Sequence, residues 1–391
     1  MRRNMMRVTG AMALSAVLAL SAAACGGDDG GSGGDGNSVT IGFLGDLTGE
    51  NSGIVIPPKQ GAQLAIDEYN ATNPKVKIVL KTYDSQGQPD QATSLVQSAI
   101  KSDNIVGLIG PAFSGESQQA VPVLEEGKIP NISASATNVT LGEKGWKYWH
   151  RVVGNDSMQG TGVAEFLVRE AKAKKVFVAH DNEDYSKGLA DYVTKGLKEK
   201  GVTVEQDVVD PRASDYSSTV NKAKAFKPDA IFYGGYYAQG GRLLKQLREN
   251  GVDALFASGD GSLDKGLIEG AGEKNAVNTV VSCPCLIDPT GESSPASKKF
   301  AEAYKAKYNS EPAIYAAEGY DAATAFIEAI KAGNTTTEAI NEFLKTIDVP
   351  GVSKQIKFDD KGEPAGGDVY IYRVEGKELP LLGKASEAKL Q

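Results

Sequence analysis

The sequence predicts an α/β protein built as two doubly wound parallel-sheet lobes. Three observations lead there. From Val39 onward, short β-rich runs alternate with helical stretches, the pattern of strand–helix–strand units whose sheets are covered on both faces. The alternation starts twice, once near residue 39 and again near residue 175. The chain has 391 residues, enough for two cores at roughly 100–200 residues per domain.

The first series opens with a strand over 39–44 (VTIGFL) and a helix over 58–71, whose Ala62, Leu64, Ala65, Ile66 and Tyr69 supply an apolar face. Strands over 75–84 and 105–111 follow, with a helix over 91–102 between them. The second series runs through strands at 175–181, 202–209, 229–235 and 254–260, separated by helices near 185–199, 216–226 and 238–250. Helices near 296–308, 314–332 and 335–346 come next, then two late strands near 353–358 and 369–374. That late material implies a chain that crosses back between the lobes instead of ending in one. No repeat of 20–50 residues interrupts the pattern.

The first 37 residues read as an address and a tether. Arg2, Arg3 and Arg7 precede an apolar run from Ala11 to Ala24, shorter than the roughly 20 residues of a membrane-spanning helix. The run closes on Leu20-Ser21-Ala22-Ala23-Ala24 before Cys25, which resembles a bacterial lipobox. The expectation is a signal peptide over 1–24, removed before a lipid-bearing Cys25 on the outer face of the cell membrane. Residues 26–37 contain only Gly, Asp, Ser and Asn, so a flexible tether is expected over 25–37. Loss of residues 1–24, with three arginines and no acid, takes the formal charge from −8 to −11. An acidic body offers no footprint for nucleic acid.

Composition leans away from catalysis, because the chain has only 2 His for acid–base or metal chemistry. There is no GxxxxGK[ST] loop. Gly270-Ala-Gly272 lacks the third glycine of a dinucleotide fingerprint, since position 275 is Asn. Asp260-Gly-Ser262-Leu-Asp264 opens like a calcium loop but then places Lys265 and Ala271 where Gly and Glu are needed. His180 ends an apolar strand without a G-x-S-x-G elbow, so it reads as structural or at the edge of a pocket. Cys283-Pro284-Cys285 has no second cysteine pair to complete a zinc site. A tight disulfide and two free thiols both remain open for it. No metal and no cofactor is expected.

Several residues instead fit capture of a small molecule. The segment 107–117 (GLIGPAFSGES) is a buried strand entering a Gly/Ser turn and then a helix, so Ser114 and the first amides of that helix present donors to an anion. The run 131–138 (NISASATN) offers Ser135 and Thr137. Asp260 sits at the end of a predicted strand, where open α/β sheets place ligands. Tyr185 and Tyr236 follow two other strands at equivalent positions. Together these are donors for a carboxylate, an acceptor for an ammonium, and aromatic walls.

In this order, GPAFSGES, NISASAT, AHDNEDYSKGLA, FYGGYYAQGGRLLKQLRENG, ASGDG and FDDKGEP resemble the solute-binding proteins of branched-chain amino-acid ABC transporters, the type I periplasmic-binding-protein family. The likeness runs from about Val39 to about Gly383. It implies a Venus-flytrap clamp whose lobes are joined by three crossover strands, near Asn155, Cys283 and Gly366. One lobe would then comprise 38–155 plus 284–366 and the other 156–283 plus 367–391. It also implies a monomer that binds an amino acid between its lobes and delivers it to an ABC permease. By the same likeness, Ser114 and Thr137 bind the α-carboxylate, the Ser135 carbonyl and Asp260 take the α-ammonium, Ala136 lies between them, and Tyr185, Tyr236 and Tyr315 line or close the pocket. Charge-assisted bonds at both ends of a zwitterion fix its orientation.

The chain departs from that pattern in places. Asp260 stands where leucine and isoleucine binders commonly carry Glu, Ile54 where Tyr is frequent, and Phe113 and Gly87 where some members pair cysteines. Backbone recognition is therefore expected to persist while side-chain preference shifts, with amides, urea and aromatic acids as alternative ligands. A tethered sensor would use the same binding chemistry, and an exported hydrolase on this fold would need His180.

Overall fold

The computed structural model describes residues 37–390. The signal peptide expected over 1–24, the lipid-bearing Cys25 and the tether up to residue 36 lie outside the described residues. Asn37, assigned to the tether from composition, belongs to the body: its carbonyl accepts the Lys77 N–H at 3.0 Å.

The first sheet is built from β1 (Ser38–Gly45), β2 (Lys77–Asp84), β3 (Ile105–Ile109), β4 (Asn131–Ser133) and β5 (Trp149–Arg151). They lie in the order β2-β1-β3-β4-β5, and every neighbouring pair is parallel. The helices between them are α1 (Ile56–Ala71), α2 (Pro89–Asp103), α3 (Ser114–Glu126) and α4 (Thr140–Glu143). Next, α5 (Asp156–Arg169) leads into a second sheet, comprising β6 (Lys175–His180), β7 (Thr203–Val208), β8 (Ala230–Tyr233), β9 (Leu255–Ser258) and β10 (Thr279–Cys283). Its helices are α6 (Asp184–Glu199), α7 (Ser217–Phe226), α8 (Tyr237–Glu249) and α9 (Lys265–Ala271). After β10 come α10 (Pro295–Tyr308), α11 (Ala316–Lys331), α12 (Thr337–Leu344) and the short pair β11 (Val349–Pro350) and β12 (Gln355–Ile356). Finally, β13 (Tyr370–Arg373) and β14 (Leu381–Lys384) add antiparallel strands to the second sheet, in the order β14-β13-β10-β9-β8-β6-β7.

Residues 284–356 thus supply helices to the first sheet although they follow the second. Phe326 of α11 lies over β3, where a Cβ placed on Gly107 would meet its ring at 2.4 Å. Ile41, Phe43 and Ile109 from the strands and Phe326 and Ile330 from α11 share one buried cluster. Burying each such side chain contributes roughly 1.5–3 kcal/mol.

Strand ends depart from the sequence expectations where glycine redirects the backbone. β3 stops at Ile109, short of 111, because Gly110 takes φ +114° and a Cβ there would stand 2.6 Å from the Leu44 carbonyl oxygen. β9 stops at Ser258, short of 260, and Asp260–Ser262 turns into a 3-10 helix. The sequence pattern did not reveal α4, α5, α9, β4, β5, β10, β11 or β14. Of these, β4 and β5 have three residues each, too few to establish a period.

α1 and α11 cross at close range through two glycines. A Cβ at Gly61 would come 1.9 Å from the Ala316 carbonyl oxygen, and one at Gly319 would come 2.0 Å from that of Pro58. Gly319→Ala is expected to lower unfolding free energy by about 2–3 kcal/mol through this clash. Gly145→Ala, at φ +71° with nothing within 4 Å, should cost about 1 kcal/mol. Denaturant midpoints of the two variants check the contrast.

Candidate functional site

Two loops of the first sheet form one wall of the site. The loop after β3 enters α3 at Ser114, and Glu116 reaches back to accept the Phe113 N–H at 3.0 Å. Glu116 also accepts the Ser85 hydroxyl, and burial raises its carboxyl to about 7. In the loop after β4, the Ser133 hydroxyl donates to the Pro111 carbonyl at 2.7 Å and accepts the Ala136 N–H at 3.0 Å. Ser135 Oγ donates to the Ala112 carbonyl at 2.8 Å, and the Asn138 N–H donates to Ser114 Oγ at 3.2 Å. The two loops are therefore stitched to each other by hydroxyls.

Arg151, fully buried at the end of β5, holds the second loop from behind. Its Nη1 donates to the Ala136 and Asn138 carbonyls at 2.8 and 3.0 Å. Its other nitrogens form a bidentate pair with Glu363 at 2.6 and 3.1 Å, and Glu363 also accepts Asn155 Nδ2 at 3.0 Å.

The opposite wall comes from the second sheet. Asp260 is 3 % exposed. Its Oδ1 accepts the Tyr185 hydroxyl at 3.0 Å, and its Oδ2 accepts the Tyr315 hydroxyl. The Gly261 N–H donates to the Tyr185 oxygen at 2.8 Å. Burial raises the Asp260 carboxyl above its ordinary range, opposed by bonds from Tyr315, Gln159 and Tyr185. Among the described residues it takes part in no salt bridge. Burial also drives the phenols of Tyr185, Tyr236 and Tyr315 well up. Tyr315 arrives from the first sheet's side in a left-handed conformation, φ +61°, just before α11.

Ser114, Ser135, Tyr185, Tyr236, Asp260 and Tyr315 line one small cavity, completed by Ile54, Ala112 and Phe113. Its accessible space is about 10 Å³, comparable to one water molecule. The rings of Phe113 and Tyr236 pack tilted across the cleft, centroids 4.7 Å apart, and that of Tyr185 lies 5.1 Å from Tyr236. Beyond this aromatic wall opens a wider cleft of about 1150 Å³, with Asp46, Asp181, Glu183 and Arg242 on its sides. The lobes also touch where Asn138 Nδ2 donates to the Asp184 carbonyl at 2.5 Å and the Gly53 N–H to the Tyr237 hydroxyl at 3.1 Å.

Two of the eight ligand positions inferred from sequence do not line the cavity. Ala136 is packed behind it with its N–H and carbonyl already bonded. Thr137 is fully buried, its carbonyl accepting the Asp156 N–H at 2.9 Å. Asp156 and Gln159, which face this region from α5, were missed. Gly87 and Phe113, noted as a pair from sequence, are adjacent, a Cβ on Gly87 falling 3.4 Å from the Phe113 ring. His180 is buried and its Nδ1 accepts the Asn182 N–H at 3.1 Å.

The family model described as periplasmic binding protein matches residues 38–378. The chain belongs to the periplasmic binding protein family. Such proteins are extracytoplasmic and bind solutes for transport; theirs is not an enzyme family. This periplasmic binding protein is 32% identical over 298 residues to a Leu/Ile/Val-binding protein homologue of Brucella melitensis, covering 75% of this chain and 78% of that one. It resembles a leucine-binding protein from Thermotoga maritima with a TM-score of 0.82 at 29% identity, covering 90% and 99% of the two chains. It resembles equally well a branched-chain amino-acid transporter substrate-binding protein from Streptococcus pneumoniae, solved with isoleucine, with a TM-score of 0.80, 29% identity and coverage of 88% and 100%.

In this binding protein, Cys283 and Cys285 form a disulfide with Cα atoms 5.0 Å apart, where the chain leaves the second sheet. The Tyr372 hydroxyl donates to the Cys285 carbonyl at 3.0 Å and accepts the Ile287 N–H at 2.8 Å. Glu363→Ala would strand the buried Arg151 guanidinium, so it should destabilise the fold by about 3 kcal/mol. Faster hydrogen exchange at Thr137 and Asn138 should accompany the loss, because Arg151 is what pins their loop.

Proposed function

We propose that this chain is the lipid-anchored, solute-binding subunit of an ABC importer and that it takes an amino acid with an apolar side chain, branched-chain ones foremost. The observation that carries the reading is Asp260: a buried carboxylate, held by two tyrosine hydroxyls and lacking a cation of its own. An α-ammonium supplies the missing charge, together with the Ser135 carbonyl. Ser114 and the amides at the start of α3 supply donors for the α-carboxylate. Ile54, Phe113 and Tyr236 give the side chain an apolar seat. The binding of isoleucine by the Streptococcus pneumoniae relative supports the choice of ligand.

The cavity is smaller than an amino acid, so uptake on this reading requires the lobes, 38–155 plus 284–366 and 156–283 plus 367–391, to part and reclose. The ligand selects the closed arrangement by contacting both walls, and the permease reads that arrangement. The monomer is complete for this purpose, since both walls come from one chain. The lipobox-like run before Cys25 supports tethering to the outer face of the membrane.

Calorimetric titration with L-leucine, L-isoleucine and L-valine, extended to amides and aromatic acids, tests the ligand class. Saturable binding of the branched-chain set is expected, and absence of binding by every amino acid would overturn the reading. Asp260→Ala should weaken binding about 100-fold, the usual consequence of deleting one partner of a buried charged pair. Intact mass of membrane-extracted protein should begin at a lipid-modified Cys25, and Cys25→Ser should release the protein into the soluble fraction.

A further inference from the structure

The turn between β1 and α1 bears directly on the second lobe. The Gly53 N–H donates to the Tyr237 hydroxyl at 3.1 Å. A Cβ placed on Gly53 would have as its nearest neighbours Asp264 Oδ2 at 2.7 Å and the Tyr237 hydroxyl at 3.0 Å. Both belong to the other lobe, so glycine lets the backbone sit where a side chain would collide across the cleft. Two residues earlier, Asn51 Oδ1 accepts the Ala238 N–H at 3.4 Å.

That second contact falls on a helix end that lacks a cap of its own. Tyr236, the residue before α8, makes no side-chain bond to the helix, and the first turn carries no acid. A helix leaves its first amides unpaired, and a side-chain oxygen from the residue just before it ordinarily meets one of them. Here the oxygen comes from 187 residues earlier in the chain. The turn that carries Asn51 is itself held within the first lobe. Asp46 accepts the Gly49 and Asn51 N–H groups, and the Asn51 carbonyl accepts the Ile54 N–H at 3.3 Å. Ile54 and Tyr236, which adjoin the two sides of this contact, both line the inner cavity, whereas Asn51 and Gly53 do not.

We propose that Asn51 and Gly53 are positioning residues for ligand capture: without touching the ligand, they seat the first lobe on the start of α8 and so set Ile54 and Tyr236 over a bound amino acid. This inference rests on the amino-acid reading above. When the lobes part, the Ala238 amide turns to water; when they close, Asn51 takes it back. The register of closure is fixed by uncharged groups. The neighbouring Glu50–Arg242 pair, at 3.4 Å and exposed on the Glu50 side, adds little.

Binding and stopped-flow release of L-isoleucine, with residue-resolved hydrogen exchange, test this. In wild type, saturation with L-isoleucine should slow exchange of the Ala238 amide at least fivefold, because its side-chain acceptor lies on the other lobe. Gly53→Ala should weaken binding about tenfold or more, since the added methyl group holds the lobes apart, and the loss should appear as faster release. Its unfolding midpoint without ligand should match wild type. Asn51→Ala should weaken binding about fivefold, the usual consequence of losing a cap. Asn51→Asp keeps the acceptor at a helix N-terminus and should restore most of the affinity. Wild-type affinity in Gly53→Ala or Asn51→Ala, or Ala238 exchange that ignores the ligand, would overturn the proposal while leaving the amino-acid reading intact. A Gly53→Ala midpoint lowered in step with its affinity would make that glycine merely structural and would also overturn it. Failure of wild type to bind L-isoleucine or any other amino acid would overturn both. The wild-type exchange measurement decides the matter even where a variant fails to fold.

Discussion

The Asp260 carboxylate imposes the constraint around which this molecule is arranged. Removing an ion from water costs several kcal/mol unless partners replace the lost hydration. The partners here come from different places: Tyr185 from the start of α6, and Tyr315 from the turn before α11. One belongs with the second sheet and the other with helices that cover the first. The carboxylate is thus fully solvated by protein only when both bodies close over it, and even then it lacks a countercharge. Closure and ligand charge are coupled through one side chain.

The seat for the ligand's side chain follows from the same arrangement. Phe113 comes from the first sheet's loop and Tyr236 from the second, and their rings pack tilted against each other across the cleft. A rigid aromatic partition separates the small inner cavity from the wide, acid-lined outer cleft.

Much of this was legible in the sequence. The doubled strand–helix alternation located the sheets because parallel strands, buried on both faces, read as short apolar runs. Six of the inferred residues, from Ser114 to Tyr315, fall around one cavity, since each follows a strand or starts a helix where open sheets converge. The missing parts were hidden for identifiable reasons. β5 is Trp-His-Arg, a run without apolar alternation that the sheet nonetheless buries. The Arg151–Glu363 pair spans 212 residues, beyond any local pattern. Asp156 gave no local signal because the helix it opens was not apparent from the pattern, Asn155 before it being the cap that accepts the Ser157 and Met158 N–H groups. Thr137 was recognised by its hydroxyl, but its distance from the cavity depends on how the loop is pulled back, which only the third dimension records.

That backward pull is the work of Arg151. The same guanidinium grips the Ala136 and Asn138 carbonyls and, through Glu363, the segment that leads back to the second sheet; Glu363 in turn holds Asn155, where the chain first leaves the first sheet. Two of the segments that connect the sheets are therefore bolted to the loop after β4. On the proposed reading, pivot and recognition surface form a single mechanical part. On that reading a substitution that eases the bending of those segments would shift the loop as well, so ease of opening and strength of grip would change together.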